Sequence, residues 1–242
     1  MATDYRSVPG LYTGNTFQTR QVVRSVSSKV YYPSLAILDG SLSRDVGSVP
    51  TSLLRAGMLL GKVTTGGKYR PSIIGLTNGA ITAGAATSVT VPAAVATEAA
   101  RLIAVAAGTV NLRIFGPPTA AGTNAATTIP VTAASGTTLT ITSTTLPAYV
   151  DKSLIQATDG SQNPVTILED QDGIDVNDIA GTNIDQTLGL FLKGADIYAS
   201  MVIAGNNALT DLDASLQTFV KQQLNGGGTN TRGLFTFDSE LP

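Results

Sequence analysis

The densest group of reactive side chains in the sequence is acidic: Glu169-Asp170-Gln171-Asp172-Gly173-Ile174-Asp175. Oxygen-rich loops bind calcium, and an EF-hand loop places its ligands at fixed positions that end in a Glu at the twelfth. Here Ile174 and Ile179 interrupt that pattern and the twelfth position is Gly181, so the run reads as a solvated turn after a buried strand. Asp and Glu total 17, yet no spacing singles out the carboxylate pair that a glycosidase needs. Ser–Lys nucleophilic chemistry wants Ser-x-x-Lys at a helix start, and Ser27-Ser28-Lys29 does not supply it. Gly226-Gly227-Gly228-Thr229 follows a helical pattern instead of opening one, so it reads as a helix stop and not a phosphate cradle. The chain has no His and no Cys. Imidazole bases, Cys–His nucleophiles, thiolate metal sites and disulfides are therefore excluded. The expectation is a protein that is not an enzyme and that holds no cofactor and no metal.

The elements that would carry any other function must be read from composition and pattern. At 242 residues the chain is long enough for one large β domain or two small ones. Hydrophobic residues make up 43% and charged residues only 13%, about half the usual share of charge. Thr, Ala, Gly, Ser and Val fill the gap, which suggests strands whose outer faces carry hydroxyls, and surfaces that a partner covers. Lys and Arg are scattered and the net charge is −2. Nucleic-acid binding needs clustered cations, so it is not expected. No apolar run approaches the ~20 residues that span a bilayer, and Met1 to Arg6 carries no apolar signal region. Assembly in a cytoplasm, with no membrane partner, is the expectation.

Residues 1–50 are broken by Pro9, Pro33 and Pro50 and hold five of the thirteen Tyr and Phe, namely Tyr5, Tyr12, Phe17, Tyr31 and Tyr32. Such a segment reads as an N-terminal arm that orders against a neighbour, with a strand over 21–30. Residues 51–78 read as a hairpin: an apolar run from Leu53 to Val63, a turn at Thr65-Gly66-Gly67, and a return strand from Lys68. In residues 79–148 the only charges are Glu98, Arg101 and Arg113, and Thr fills 11 of the 27 positions from Thr119 to Thr145. Short strands at 87–91, 102–105, 110–115, 128–132 and 137–141, about ten residues apart, predict an inserted small β-sandwich or barrel. Residues 149–204 resume strands at 153–157 and 164–168 and end in a hairpin, 188–193 with 197–202, around Gly194. In 205–242, Leu209, Leu212, Leu216, Phe219, Val220 and Leu224 recur at helical steps. Asn206, Asn207 or Thr210 would cap that helix, and an edge strand follows at 234–237.

Three stretches resemble the lambda-type head-decoration family of tailed bacteriophages. They are Leu53 to Val63 with Gly67-Lys68-Tyr69-Arg70-Pro71; Ala157 to Asp170, with its Asp159-Gly160 turn and Val165-Thr166-Ile167-Leu168 strand; and Leu188 to Tyr198 around Lys193-Gly194. They stand in the family's order within residues 51–78 and 149–204, about 80 residues together. The chain departs from short members of the family by the 79–148 insertion and by the helix and tail after 205. The resemblance implies a β-tulip-like decoration domain, here built from 51–78 and 149–204, and an N-terminal arm over 1–50; with the inserted small β-sandwich or barrel at 79–148 and one C-terminal helix within 205–242, the expected fold is mainly β. The resemblance also implies a homotrimer on the outside of an expanded capsid at three-fold sites, with the major capsid protein as partner and no catalysis.

Within the arm, Phe17, Val22, Val23, Tyr31 and Tyr32 are the apolar positions of an otherwise polar, Pro-broken segment, and they are the expected capsid anchors. Competing expectations are a tail-fibre or receptor-binding β protein, and a tail-tube or baseplate protein. The chain has no Trp to serve as a sugar platform, and no internal repeat is visible.

Overall fold

The computed structural model describes residues 21–31, 36–117, 124–178, 180–188, 191–226 and 235–238. The fold is mainly β, with two α-helices and curled sheets among the described residues. In chain order the strands are β1 (Val30–Tyr31), β2 (Ala36–Leu38), β3 (Leu53–Leu54), β4 (Leu59–Lys62), β5 (Tyr69–Pro71), β6 (Gly75–Leu76), β7 (Gly84–Thr90), β8 (Val110–Gly116), β9 (Ala125–Ser135), β10 (Thr138–Leu146), β11 (Leu154–Ala157), β12 (Pro164–Leu168), β13 (Ile174–Asp175), β14 (Gln186–Leu188), β15 (Phe191–Tyr198), β16 (Ile203–Ala204), β17 (Asn207–Ala208) and β18 (Phe235–Asp238). The helices are α1 (Ala93–Val105) and α2 (Ala214–Leu224).

The first sheet runs β1-β15-β12-β4-β5-β2-β14, with β18 added parallel to β15. The hairpin predicted at 51–78 is present as β4 and β5. Its turn uses Gly66 and Gly67 at φ of 86° and 69°, a conformation that glycine reaches without the Cβ penalty. The end of the chain corrects the expected hairpin around Gly194. Residues 191–198 form one strand, and Gly194 lies within it opposite Val30.

The second sheet, β6-β11-β8-β9-β10-β7, is antiparallel throughout. It corrects the 79–148 boundary, because β6 and β11 lie outside those residues and belong to this sheet. It also corrects the expected strand at 102–105, which is the last turn of α1. Three alanines in the first four residues of α1 and its 93–105 length favour helix, and Val95, Ala96, Ala99 and Leu102 recur on one buried face. Pro92 stands at the N-cap, where a missing N–H costs nothing. The insertion is thus a sheet with a helix packed on it, not an all-β sandwich.

Two cores meet at this second sheet. Ile114 and Leu112 of β8, and Ile155 and Ala157 of β11, pack with α1, Leu139, Ile141 and Tyr149. From the opposite face, Phe115 and Leu154 pack with Leu59, Ile167 and Leu192 of the first sheet and with Leu216 and Val220 of α2. Phe115 and Phe219 of α2 stand 4.3 Å apart between ring centroids. A third core lines the far side of the first sheet, where Tyr69 and Phe191 meet at 5.2 Å among Leu38, Leu54, Leu60 and Leu168. Each fully buried Leu, Ile or Phe side chain contributes about 1.5–3 kcal/mol relative to leaving it in water.

The expected C-terminal helix is present as α2, but its cap is Asp213. The Asp213 carboxylate accepts the Ser215 backbone N–H at 2.8 Å, in preference to Asn206, Asn207 or Thr210. The arm boundary at residue 50 also changes. Residues 36–38 are a strand of the first sheet, and Asp39, Ser43, Asp45 and Val46 are buried. Residues 36–50 therefore belong to the folded body.

Candidate functional site

The edge of the first sheet is built from residues 21–31 laid antiparallel along β15. The Tyr198 N–H donates to Val22 O at 3.0 Å, and the Arg24 N–H donates to Asp196 O at 2.8 Å. Val23 bridges Ile197, Val30 opposes Gly194 and Tyr31 opposes Leu192. Between these contacts the chain turns through a 3-10 helix at Val26–Ser28, so the predicted continuous strand over 21–30 is replaced by two short contacts. The Ser28 hydroxyl fills the gap: it accepts the Asp196 N–H at 2.9 Å and donates to Ser25 O at 2.6 Å.

The expected anchor residues separate in this arrangement. Val22 and Val23 are 2% and 4% exposed and pack in the chain's own core beside Leu59, Leu192 and Ile197. A side chain buried to that degree is already spent on the fold, which corrects their reading as free anchors. Tyr31 and its neighbour Val30 are 36% and 44% exposed on an edge strand. Phe17 and Tyr32 lie outside the described residues. Of the described anchor residues, only Tyr31 offers a surface to another molecule.

Tyr31 is held in place by a group that the sequence gave no reason to connect with it. Glu169, from the start of the acidic run, receives Lys29 Nζ on Oε1 and the Tyr31 hydroxyl on Oε2, the latter at 2.9 Å. The Glu169 bond is the main cause that raises the Lys29 ammonium above its ordinary value, against the opposing effect of burial. Burial is the larger cause that raises the Tyr31 phenol, and the same carboxylate adds to it. Two carboxylates of the acidic run also cap their own backbone. Asp170 accepts the Asp172 N–H at 3.2 Å and Asp175 accepts the Asn177 N–H at 2.9 Å. Among the described residues no group of three or more Asp and Glu is placed to hold a metal ion.

Other ion pairs, with the hydrogen bonds around them, fasten loops and elements of the fold. Asp45 takes both Nε and Nη2 of Arg55, at 2.6 and 2.9 Å. Glu98 takes two nitrogens of Arg101 at 2.7 and 2.6 Å, and the same guanidinium donates to Ser41 O at 2.5 Å, which fastens α1 to the 40s segment. Arg70 meets Asp159 at 3.0 Å. Burial pushes the Asp159 carboxyl up, but Arg70 and the Ser161 hydroxyl and amide hold it below its ordinary value. These carboxylates are stapled to cations, an arrangement that fixes loops and offers no unpaired base next to a nucleophile.

Comparison with family models, with curated proteins and with solved structures finds no match. No helix among the described residues is long and apolar enough to cross a membrane. The site must therefore be read from its own chemistry: an open two-residue strand edge, an exposed aromatic–aliphatic pair, and a buried clamp that fixes both.

Proposed function

We propose that the chain is a structural virion subunit, a decoration protein on the outside of an expanded phage capsid. In this reading it binds the major capsid protein as a homotrimer at three-fold sites and holds the shell against the packed genome, with no cofactor. The observation that carries the reading is the assembly of the three family-like stretches. They supply β4 and β5, β12, and β15, which are consecutive neighbours in the order β15-β12-β4-β5 although 79–148 separates the first from the others. The tulip-like form of that sheet is part of the proposal.

The gripping surface in this reading is the β1 edge. A capsid strand added there would satisfy backbone groups on both sides, while Val30 and Tyr31 bury apolar area. A small edge contact gives weak binding by itself. Three such contacts on one trimer raise avidity by about 10²–10⁴ when all engage together.

The test is cosedimentation of the purified full chain with expanded, undecorated heads of the phage that encodes it. Stoichiometric binding is expected, and Tyr31→Ala should weaken it about tenfold, since truncating a buried interface aromatic costs on the order of 1.4 kcal/mol or more. A truncation that removes residues 2–20 keeps Val22 and Val23, which belong to the core, and should bind heads more weakly than the full chain if the preceding segment grips the capsid. Heads that bind none of the full chain, or virions that carry it on the tail, would overturn the proposal.

A further inference from the structure

Among the described residues, β1, β14 and β18 of the first sheet and β6 and β7 of the second each have an unpaired side. β6 is two residues long, β14 three and β18 four, with Asp238 of β18 paired to Arg24 at 2.6 Å; β1, which the capsid reading gives a short added strand, is only two residues long and so cannot zip two copies of the chain together. Asp185, next to β14, is paired with Lys68 at 2.6 Å. Short strands and flanking charge are the usual protection against edge-to-edge pairing. The β7 edge has neither. β7 runs seven residues, Gly-Ala-Ala-Thr-Ser-Val-Thr, pairs among the described residues only with β10, and is largely exposed apart from Val89. Its end is closed where Thr90 O accepts the Asn78 N–H at 3.0 Å, so the open part is residues 84–88.

Charge is sparse along residues 84–88; Asp151, which accepts the Gly79 N–H at 2.6 Å, stands at the closed Thr90 end of β7. The only charged residues in 79–148 are Glu98, Arg101 and Arg113. Glu98 and Arg101 neutralise each other. Arg113 donates to Gln156 Oε1 at 2.7 Å, with its guanidinium 5.0 Å from the Phe115 ring. A charged partner segment laid on this edge would lose water without meeting a counter-charge. A second copy of the same edge meets no such cost. Run antiparallel about a two-fold axis, it matches every open donor of residues 84–88 with an acceptor of the same strand, and it sets Thr, Ser and Ala opposite one another.

We propose that β7 pairs edge to edge, antiparallel about a two-fold axis, with β7 of a second copy of this chain. The contact joins two six-stranded sheets into one continuous sheet. Its area is below that of a standard interface, so the association is weak in dilute solution and strengthens where copies are held side by side. It does not depend on the capsid reading, because it is tested on the isolated chain.

The experiment is sedimentation equilibrium of the intact protein from micromolar to millimolar concentration, with deuterium uptake followed over 84–88. Expected is a concentration-dependent rise in mass by a two-fold step, together with slower exchange in that strand. Thr87→Lys and Thr87→Glu, both at an exposed position, should each weaken association about two- to threefold, as expected for like charges on diagonal positions some 7–8 Å apart in water. A one-to-one mixture of the two should regain parental association, a rescue that a folding defect cannot produce. Variants that associate as strongly as the parent, a mixture no stronger than its components, or protection of 84–88 that arises only when capsids are added would each overturn the proposal.

Discussion

Asp45 illustrates what a charged residue does in a chain that has few of them. Its side chain is fully buried, receives Arg55 through two nitrogens, and also accepts the Gly47 N–H at 2.9 Å and the Arg55 backbone N–H at 3.3 Å. Removing Arg55 strands a buried carboxylate, and breaking a fully buried pair costs about 3–5 kcal/mol. Two backbone donors remain and Arg55 is partly exposed, so the expected loss for Arg55→Ala is about 2–3 kcal/mol, below that range. Arg55→Lys should recover only part of it, because an ammonium cannot reproduce the two-pronged contact. Denaturant midpoints measure both, and an unchanged midpoint in Arg55→Ala would show that the pair holds nothing. None of this was legible in the sequence, where Asp45 and Arg55 are ordinary members of two different segments. The same is true of Glu169. Its place at the head of an acidic run suggested a solvated turn, and only tertiary structure brings it to Lys29 and Tyr31. What the sequence did carry at this scale is exclusion, since the lack of His and Cys removes whole classes of chemistry without any coordinates.

At the scale of single elements, legibility followed the strength of the local pattern. Strands with clean alternation, such as Thr138-Leu139-Thr140-Ile141, were readable because Leu139 and Ile141 must face the core while the threonines face out. α1 was misread because its buried face is built of Ala and Val as well as Leu102, and an Ala-rich run in a Thr-rich context carries no strong helical contrast. β15 was misread because Gly194 looked like a turn, whereas it sits in mid-strand opposite Val30. Residues 21–31 were assigned to a free arm because their register with β15 depends on Ser28, Glu169 and Asp196, all remote in sequence. Their attachment has a pH signature whose sign is fixed. Lys29 and Tyr31 are both raised in the folded chain, above unfolded values of about 10.4 and 10. The stabilisation they provide is therefore complete below those unfolded values and is lost as pH rises through the folded ones. The expected outcome is a tyrosinate titration in which the component absent from Tyr31→Phe has a midpoint above that of a free tyrosine. Glu169→Gln should lower that midpoint and flatten the alkaline fall in thermal stability. A Tyr31 component that titrates identically with and without the Glu169 carboxylate would remove the clamp from the account.

For the molecule as a whole, the decisive feature is that the second sheet has a core on each face. β8 and β11 direct Leu112, Ile114, Ile155 and Ala157 toward α1, and Phe115 and Leu154 toward the first sheet and α2. Gln156 is fully buried at this wall, donating to Gln162 O at 2.6 Å and accepting from Arg113. The composition shift at 79–148 marks residues poor in charge and rich in Thr, but composition does not report the ownership of strands. The sheet it marks borrows β11 from beyond its end and β6 from before its start. An isolated fragment of residues 79–148 would leave β8 without its β11 neighbour and Phe115 without Phe219 and Leu154, exposing one whole face of the sheet to water. Unpairing a four-residue stretch of β8 from β11 also forfeits backbone bonds worth about 0.5–1.5 kcal/mol each, in a chain whose total stability is only on the order of 5–15 kcal/mol. The fragment is therefore expected to remain unfolded, with poorly dispersed amide resonances, while the full chain melts in a single transition reported alike by α1 and by the first sheet. A fragment with dispersed resonances, or two separable melting steps in the full chain, would mean that the shared wall does not couple the sheets and that 79–148 is an independent domain.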